Sequence, residues 1–313
     1  LSAEINCLLR AMIGRTIYHS AMEQRINQTD TASTAPSGAR RSNEPTLGIE
    51  STTSPLASLR VALFYTCLVD MMRPEIAFAS VRLLEDAGCK VEVPLAQTCC
   101  GQPGFNAGDQ HVARDLALQW LGMFESFDYV VVPSGSCAGM VRKHYGELFR
   151  HDPDLRVRMQ RLTERTWELS SFLVDVCGMQ KPPGNFRGEI TYHDACSGLR
   201  ELGVQAQPRQ LLNHMPDLTI KEMQDSRACC GFGGSFSVKY GAISASIADE
   251  KIAQIQQTGT KCVVMGDLGC MLHLEGRLRR CGDEQTRVMH VAEVLVGDYQ
   301  QAAGTTAASR GEG

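Results

Sequence analysis

Short apolar runs alternate with longer amphipathic segments along the chain from Arg60 onward. The short runs predict strands at Val61–Tyr65, Lys90–Pro94, Tyr129–Val132, Glu189–His193, Leu218–Glu222 and Cys262–Met265. The longer segments repeat apolar residues every three or four positions and predict helices at about Pro74–Ala87, Asp109–Phe124, Gln207–His214 and Tyr240–Gln257. Strands that alternate with helices are typical of parallel sheets covered by helices, so we expect an α/β fold.

The pattern of strands, helices and cysteines occurs twice. Three landmarks recur at offsets of 129, 130 and 133 positions, in the pairs Cys67 and Cys196, Cys99 and Cys229, and Cys137 and Cys270. Self-similarity at a nearly fixed offset predicts duplicated structural units. We therefore expect two tandem homologous modules, residues 60–180 and 181–300, each a small parallel sheet flanked by helices. A pseudo-twofold axis is expected to relate them.

The two ends of the chain differ in composition from this repeated part. Residues 27–58 are rich in Thr, Ser, Ala, Pro and Gly and contain almost no aromatic side chains. Such a segment buries too little apolar surface to offset its ordering entropy. We expect a disordered or weakly ordered leader at residues 1–59 and a disordered tail at residues 301–313.

Charge and hydropathy exclude several classes of protein. The net charge is −4 and the pI is near 6.1, so a nucleic-acid partner is not expected. No apolar run approaches the roughly 20 residues of a transmembrane helix. The first residues lack the apolar core and cleavage site of a secretory signal. These features predict a cytoplasmic protein without a transmembrane segment.

Cysteine content adds candidate chemistry to this picture. The chain has 13 cysteines, an odd number that a fully paired disulfide framework cannot use. In a reducing compartment, clustered thiols indicate metal or redox chemistry. Eight of the cysteines belong to the repeat, and each follows a predicted strand closely: Cys67, Cys99, Cys100, Cys137, Cys196, Cys229, Cys230 and Cys270. The other five, Cys7, Cys89, Cys177, Cys262 and Cys281, are expected to be small core residues.

Four cysteines per module match the ligand count of a 4Fe–4S cluster or of a structural zinc ion. In parallel sheets, sites gather beyond the carboxyl ends of strands, where these cysteines are predicted to lie. The glycine after each Cys-Cys pair suits a tight loop whose amides approach a metal centre. Because neither copy has the Cys-x-x-Cys knuckle of structural zinc, we expect two 4Fe–4S clusters. Zinc remains an alternative.

The cysteine spacing resembles that of a known family. Cys-x31-Cys-Cys-Gly-x35-Cys, followed by Cys-x32-Cys-Cys-Gly-x38-Cys, resembles the cysteine-rich CCG domain found in heterodisulfide reductase and in the iron–sulfur protein of glycolate oxidase. Several flanking segments resemble most closely the lactate utilization protein A family. These segments are Gln102-Pro103, Pro133-Ser134-Gly135-Ser136-Cys137, His193-Asp194-Ala195-Cys196 and Gly231-Phe232-Gly233-Gly234-Ser235-Phe236-Ser237.

This resemblance implies an iron–sulfur electron-transfer subunit, an oxidoreductase component of an L-lactate or other 2-hydroxy-acid oxidation complex that allows lactate to serve as a carbon source. It also implies two partners, a ferredoxin-domain iron–sulfur protein and a third small protein, through which the chain would be peripheral to a membrane. Other hypotheses are a glycolate oxidase-like or heterodisulfide reductase-like subunit and a zinc-stabilised scaffold. An enzyme with a cysteine nucleophile and His193 as its base is a further alternative.

The sequence departs from the CCG pattern at two positions. Full CCG domains end in Cys-x-x-Cys, whereas Met140 and His273 stand at the second cysteine position here. We expect Met140 in the core, and we treat His273 as a candidate ligand that would raise a cluster's potential.

Three further residues lie near the cysteines in sequence. His193 and Asp194 precede Cys196, and Lys239 follows the second Cys-Cys-Gly loop. The first two are candidates to hydrogen-bond the cluster or relay protons, with a strand-end pair that closes a turn as the alternative. Lys239 is a candidate to bind a substrate carboxylate or offset the cluster's charge, with a solvated lysine at a helix start as the alternative.

Overall fold

The computed structural model describes residues 58–297. The predicted tail and all but two residues of the predicted leader lie outside this range, as does Cys7. Within it, the chain forms two four-stranded sheets in which every paired strand is parallel. The predicted α/β architecture of two modules is therefore confirmed.

The first sheet contains β1 (Arg60–Leu63), β2 (Lys90–Glu92), β3 (Tyr129–Val132) and β4 (Thr166–Glu168), in the spatial order β2-β1-β3-β4. The second sheet contains β5 (Gly188–Tyr192), β6 (Leu218–Ile220), β7 (Cys262–Met265) and β8 (Arg287–His290), in the order β6-β5-β7-β8. The two orders are the same once the strands are counted within each module. The sequence repeat is thus a repeat of topology.

Helices connect the strands. In the first module they are Cys67–Met72, Glu75–Asp86, Gln102–Asn106, Gln110–Phe124, Gly135–Gly139, Tyr145–Leu148, Pro153–Glu164 and Leu169–Ser171, with π-helical turns at Met140–His144 and Phe172–Val176. In the second they are Cys196–Leu202, Ala206–Asn213, Ser235–Lys239, Gly241–Gln257, Leu268–Arg280 and Val291–Val296.

The modules pack through reciprocal contacts. The last helix of the second module, Val291–Val296, packs on Glu75–Asp86 of the first, while Leu169–Val176 of the first packs on Ala206–Asn213 of the second. Each contact joins the segment after a fourth strand to a helix between the first two strands of the other module. This exchange of equivalent elements is what a pseudo-twofold axis produces.

Sequence reasoning missed the fourth strand of each sheet. β4 has only three residues, Thr-Trp-Glu, and β8 reads Arg-Val-Met-His, so neither shows an apolar run. Each lies at a sheet edge and gains its hydrogen bonds from one neighbour. Four of the six predicted strands also end later than the observed β1, β2, β5 and β6, because the chain leaves these strands for the loops and helices that bear the cysteines.

A large apolar core spans both modules, and a second core lies on the other face of the first sheet. The central strands are fully buried, as in Val61, Val131, Val263 and Val264. Such burial on both faces is typical of parallel sheets covered by helices. In the described part of the chain, no helix has the length and hydrophobicity needed to cross a bilayer.

Candidate metal centres

Equivalent local structures present the cysteines of both modules. Cys67 and Cys196 begin the helices that follow β1 and β5, and Cys137 and Cys270 lie in the first turns of the helices that follow β3 and β7. Helix N-termini carry unpaired amides and a partial positive charge, which favour thiolates and other anions. These positions are therefore suited to a negatively charged metal–thiolate centre.

In the first module, the four repeated thiols lie side by side. The Cys100 and Cys137 Sγ atoms are 3.4 Å apart, and the thiol of Cys67 hydrogen-bonds that of Cys99. The amide of Gly101 points at Cys99 Sγ, with an N–S distance of 3.4 Å. Gly101 has a φ of +80°, a conformation that glycine adopts without steric cost, and this conformation turns the amide toward the sulfur.

The second module repeats this arrangement. The Cys230 and Cys270 Sγ atoms are 2.9 Å apart, and the thiol of Cys196 hydrogen-bonds that of Cys229. The amide of Gly231 approaches Cys229 Sγ at 3.3 Å. The structure thus gathers all eight repeated cysteines into two groups of four, and none of them is in a disulfide.

Proximity of the thiols separates their pKa values. Hydrogen bonds from Cys100 and Cys67 lower the pKa of Cys99 to about 3, and hydrogen bonds from Cys196 and Cys230 lower that of Cys229 to about 2. The pKa values of Cys67 and Cys230 are raised, because each thiol donates to a neighbouring sulfur and is desolvated. One thiolate per module is therefore favoured, and a bound cation would be needed to stabilise the others together.

The donor set of each group fits a metal centre. Thiolates are the ligands of zinc and of iron–sulfur clusters, and backbone amides that point at sulfur are the outer contacts such centres use. Among the described residues, His193, Cys230 and Cys270 also place ligand atoms within 4.8 Å of one another.

Asp267 links the two groups. One carboxylate oxygen accepts from the Gly269 amide at 3.1 Å and caps the helix that bears Cys270. The other accepts from the Ser136 amide at 2.8 Å and the Ser134 hydroxyl at 3.2 Å, beside Cys137. Ser134 in turn caps the helix that bears Cys137. Because Ser134 and Asp267 are 133 positions apart, equivalent caps of the two modules bond each other.

We predict that Asp267→Ala lowers the free energy of unfolding by about 2–3 kcal/mol, because it removes a cap and leaves the half-buried Ser136 amide of the other module without its acceptor. Asp109→Ala is the matched control, since Asp109 is exposed and caps one helix through a single bond to the Val112 amide. It should cost about 1 kcal/mol. Urea unfolding of both variants measures the difference, and equal losses would show that Asp267 acts only as a cap.

Comparison with known proteins agrees with this geometry. The family model of the cysteine-rich domain CCG matches residues 61–142 and 190–275. Lactate utilization protein A of Geobacillus kaustophilus (strain HTA426) is 44% identical over 237 residues, which are 76% of this chain and 98% of that protein. Lactate utilization protein A of Bacillus subtilis (strain 168) is 41% identical over 76% of this chain and 99% of its own.

This chain belongs to the lactate utilization protein A family. The resemblance predicted from its motifs is confirmed, and the relatives named here are lactate utilization proteins. Among solved structures, a hypothetical protein from Helicobacter pylori matches with a TM-score of 0.54 at 11% identity, over 80% of this chain and 51% of that one. At this identity the match supports the fold alone.

The two departures from the Cys-x-x-Cys pattern have different surroundings in this member of the lactate utilization protein A family. Met140 is fully buried in the core of the first module, as predicted. His273 is half-buried and its Nε2 lies 3.1 Å from the Ser244 hydroxyl, while its ring lies against Phe232. The close group of ligand atoms in the second module includes His193 and not His273.

The other candidates near the cysteines fall into two groups. Asp194 is buried and forms an ion pair with Arg209, whose guanidinium also binds Glu222. The Asp194 carboxylate therefore holds elements of the second module together. Lys239 is exposed at the end of the short helix Ser235–Lys239. In this conformation it contributes no contact to the thiols.

The four described cysteines outside the repeat make no thiol contact with either group. Cys89 and Cys262 are buried in the core, as expected. Cys177 is half-buried, with its Sγ 3.8 Å from that of Cys89. The expectation of a core position is wrong for Cys281, which is exposed at the end of a helix whose last turn contains three arginines.

Sequence reasoning missed Asp267 and the buried Lys251. Asp267 occupies the position of Ser134 in the repeat, a signal that the fixed offset could have revealed. Lys251 lies within a helix that reads as amphipathic, and its ammonium donates to the Asp225 carbonyl at 2.6 Å. Its burial arises from how the loop after β6 folds over the helix, which no local pattern predicts.

Proposed function

We propose that this chain is an iron–sulfur electron-transfer subunit of a complex that oxidises L-lactate, with one 4Fe–4S cluster in each of the modules 60–180 and 181–300. The observation that carries the proposal is the duplicated group of four thiols. A single reactive cysteine would serve a nucleophilic enzyme, and it would leave seven equivalent cysteines without a role. When bound, such clusters supply one-electron transfer.

The interface between the modules supports electron transfer between the two proposed metal centres. The helix that bears Cys137 packs on the helix that begins at Cys196. At their crossing Gly135 approaches Gly198 so closely that a Cβ on Gly135 would lie 2.9 Å from the Gly198 Cα. Glycine therefore allows ligand-bearing helices of different modules to touch, which shortens the path between their metal centres.

The remaining parts of the proposal concern the setting of the protein. We propose a cytoplasmic location and association with a ferredoxin-domain iron–sulfur protein and a third small protein. The relatives at 41–44% identity are all named for lactate utilization, which supports lactate over other 2-hydroxy acids as the substrate of the complex.

The first test is the content of iron and acid-labile sulfide in protein purified without oxygen. We expect about eight irons per chain, four for each cluster. Near-zero iron together with about two zinc ions would overturn the electron-transfer role and leave a zinc-stabilised scaffold. To test the substrate, the gene should restore growth on L-lactate to a bacterium that lacks its own lactate utilization protein A. Restored growth on glycolate alone would contradict the choice of lactate.

A further inference from the structure

The two thiol groups differ at one structurally equivalent position. His193 and Phe64 are 129 positions apart and each follows the first strand of its module. The His193 amide donates to the Val264 carbonyl at 2.9 Å, and the Phe64 amide donates to the Val131 carbonyl at the same distance. The backbones are therefore equivalent in the repeat, and only the side chain has changed from a phenyl to an imidazole ring.

His193 is buried without a hydrogen-bond partner. Its exposed fraction is 0%, and within the described chain neither ring nitrogen meets a donor or acceptor. A buried polar group without a partner costs about 1–3 kcal/mol, so an orphaned imidazole indicates a ligand. The residues that surround it indicate which ligand, because a ring nitrogen lies within 4.8 Å of both the Cys230 and Cys270 sulfurs.

The first module offers no such donor at this position. Phe64 packs edge-on against the rings of Trp120 and Phe124, with centroid distances of 6.2 and 5.6 Å. Aromatic rings therefore occupy this position in the first module. Each module thus has its own four cysteines, and the second module has one nitrogen donor in addition.

We propose that a ring nitrogen of His193 coordinates the metal centre of the second module as a fifth protein donor, which makes one iron of the cluster five-coordinate, whereas the first module has four thiolates. The identity of this metal as iron rests on the proposed function. We assign His193 as the ligand because of its position in the repeat and its distance from the sulfurs. His273 is paired with Ser244.

A histidine ligand raises the reduction potential of a cluster, and a second difference between the modules also raises that of the second centre. The Lys251 ammonium is buried close enough to Cys229 and Cys230 to interact electrostatically with both, and Leu121 stands 130 positions earlier in the first module. A nearby positive charge favours the reduced, more negative state of a metal–thiolate centre. We therefore expect the second centre to have the higher reduction potential and to receive electrons from the first.

The test uses the full-length protein, reconstituted with iron and sulfide without oxygen, reduced, and examined by pulsed EPR. Growth with ¹⁵N-histidine should change the nitrogen modulation of one of the two centres, since only a bound histidine nitrogen couples strongly. His193→Phe, which installs the residue of the first module, should abolish this coupling. His273→Phe is the matched control and should retain it.

Several results would overturn the inference. Clusters with no strong histidine coupling in the wild-type protein would exclude a nitrogen ligand, without any need for a variant to fold. Coupling that survives in His193→Phe, or disappears in His273→Phe, would show that another residue is the ligand. Iron content of the same samples reports separately on the proposed function. Should the protein hold zinc in place of iron, cobalt(II) substitution and the same nitrogen coupling test the ligand.

Discussion

Cys230→Ser is expected to remove the metal centre of the second module, halve the iron content and abolish lactate-dependent growth. Cys230 is 2% exposed and its sulfur lies between those of Cys229 and Cys270, so no solvent ligand can replace it easily. A serine hydroxyl is a poor ligand for iron, and even the loss of an outer contact costs about 10–100-fold in metal affinity or activity. We expect a loss of activity of more than about 100-fold.

Cys100→Ser should give the same result for the first module, with about four irons remaining. Equal loss of activity in both variants is expected because the proposed electron path runs through both centres in turn. Iron analysis and growth on L-lactate measure the two effects. Cys262→Ser is the control, since Cys262 is also buried yet lies in β7 outside both thiol groups, and it should keep its iron. Loss of all iron in Cys230→Ser would mean instead that the two modules do not bind metal independently.

The grouping of the thiols could be predicted because cysteines that recur with the repeat leave a spacing signal. Eight cysteines at a nearly fixed offset identify the modules. Their position after predicted strands places four of them beyond the carboxyl ends of the strands of each sheet. The core strands could be predicted for a similar reason, since Tyr129–Val132 and Cys262–Met265 are continuous apolar runs whose predicted bounds match the structure. A strand that is buried on both faces needs apolar residues at every position, so its bounds can be read from the sequence.

The parts that could not be predicted depend on contacts between distant segments. β4 and β8 are stabilised by pairing at the edge of a sheet, which a three- or four-residue polar–apolar mixture does not reveal. The Cys-x-x-Cys pattern draws attention to His273, yet a hydrogen bond to Ser244, on another helix, decides its orientation. His193 lies closer to the thiols because β5 ends one residue before it, a boundary that sequence patterns fix poorly.

Gly231→Ala is expected to destabilise the protein strongly, because it combines backbone strain with a collision against backbone. Gly231 has a φ of +90°, where an L-residue is strained by about 1–2 kcal/mol. A Cβ here would also lie 2.5 Å from the Ser244 carbonyl oxygen and 3.3 Å from His273 Nε2. Because the carbonyl belongs to the helix Gly241–Gln257, relief requires the loop and helix to separate, at about 1–3 kcal/mol. We predict a total loss of about 3–5 kcal/mol in unfolding free energy.

Gly101 and Gly108 provide two matched controls for this prediction. Gly101 occupies the same motif position in the first module, with a φ of +80°, yet the nearest atoms to its Cβ would lie 3.4 Å away. Gly108 has a φ of +84° and no atom within 4 Å of that point. Alanine at either position should therefore cost only the backbone strain, about 1–2 kcal/mol. Urea unfolding of the three variants separates strain from collision, and equal losses would show that the second loop moves freely away from its helix. A larger loss for Gly231→Ala would mean that the loop bearing Cys229 and Cys230 is held rigidly against the helix behind it, which fixes its sulfurs before any metal binds.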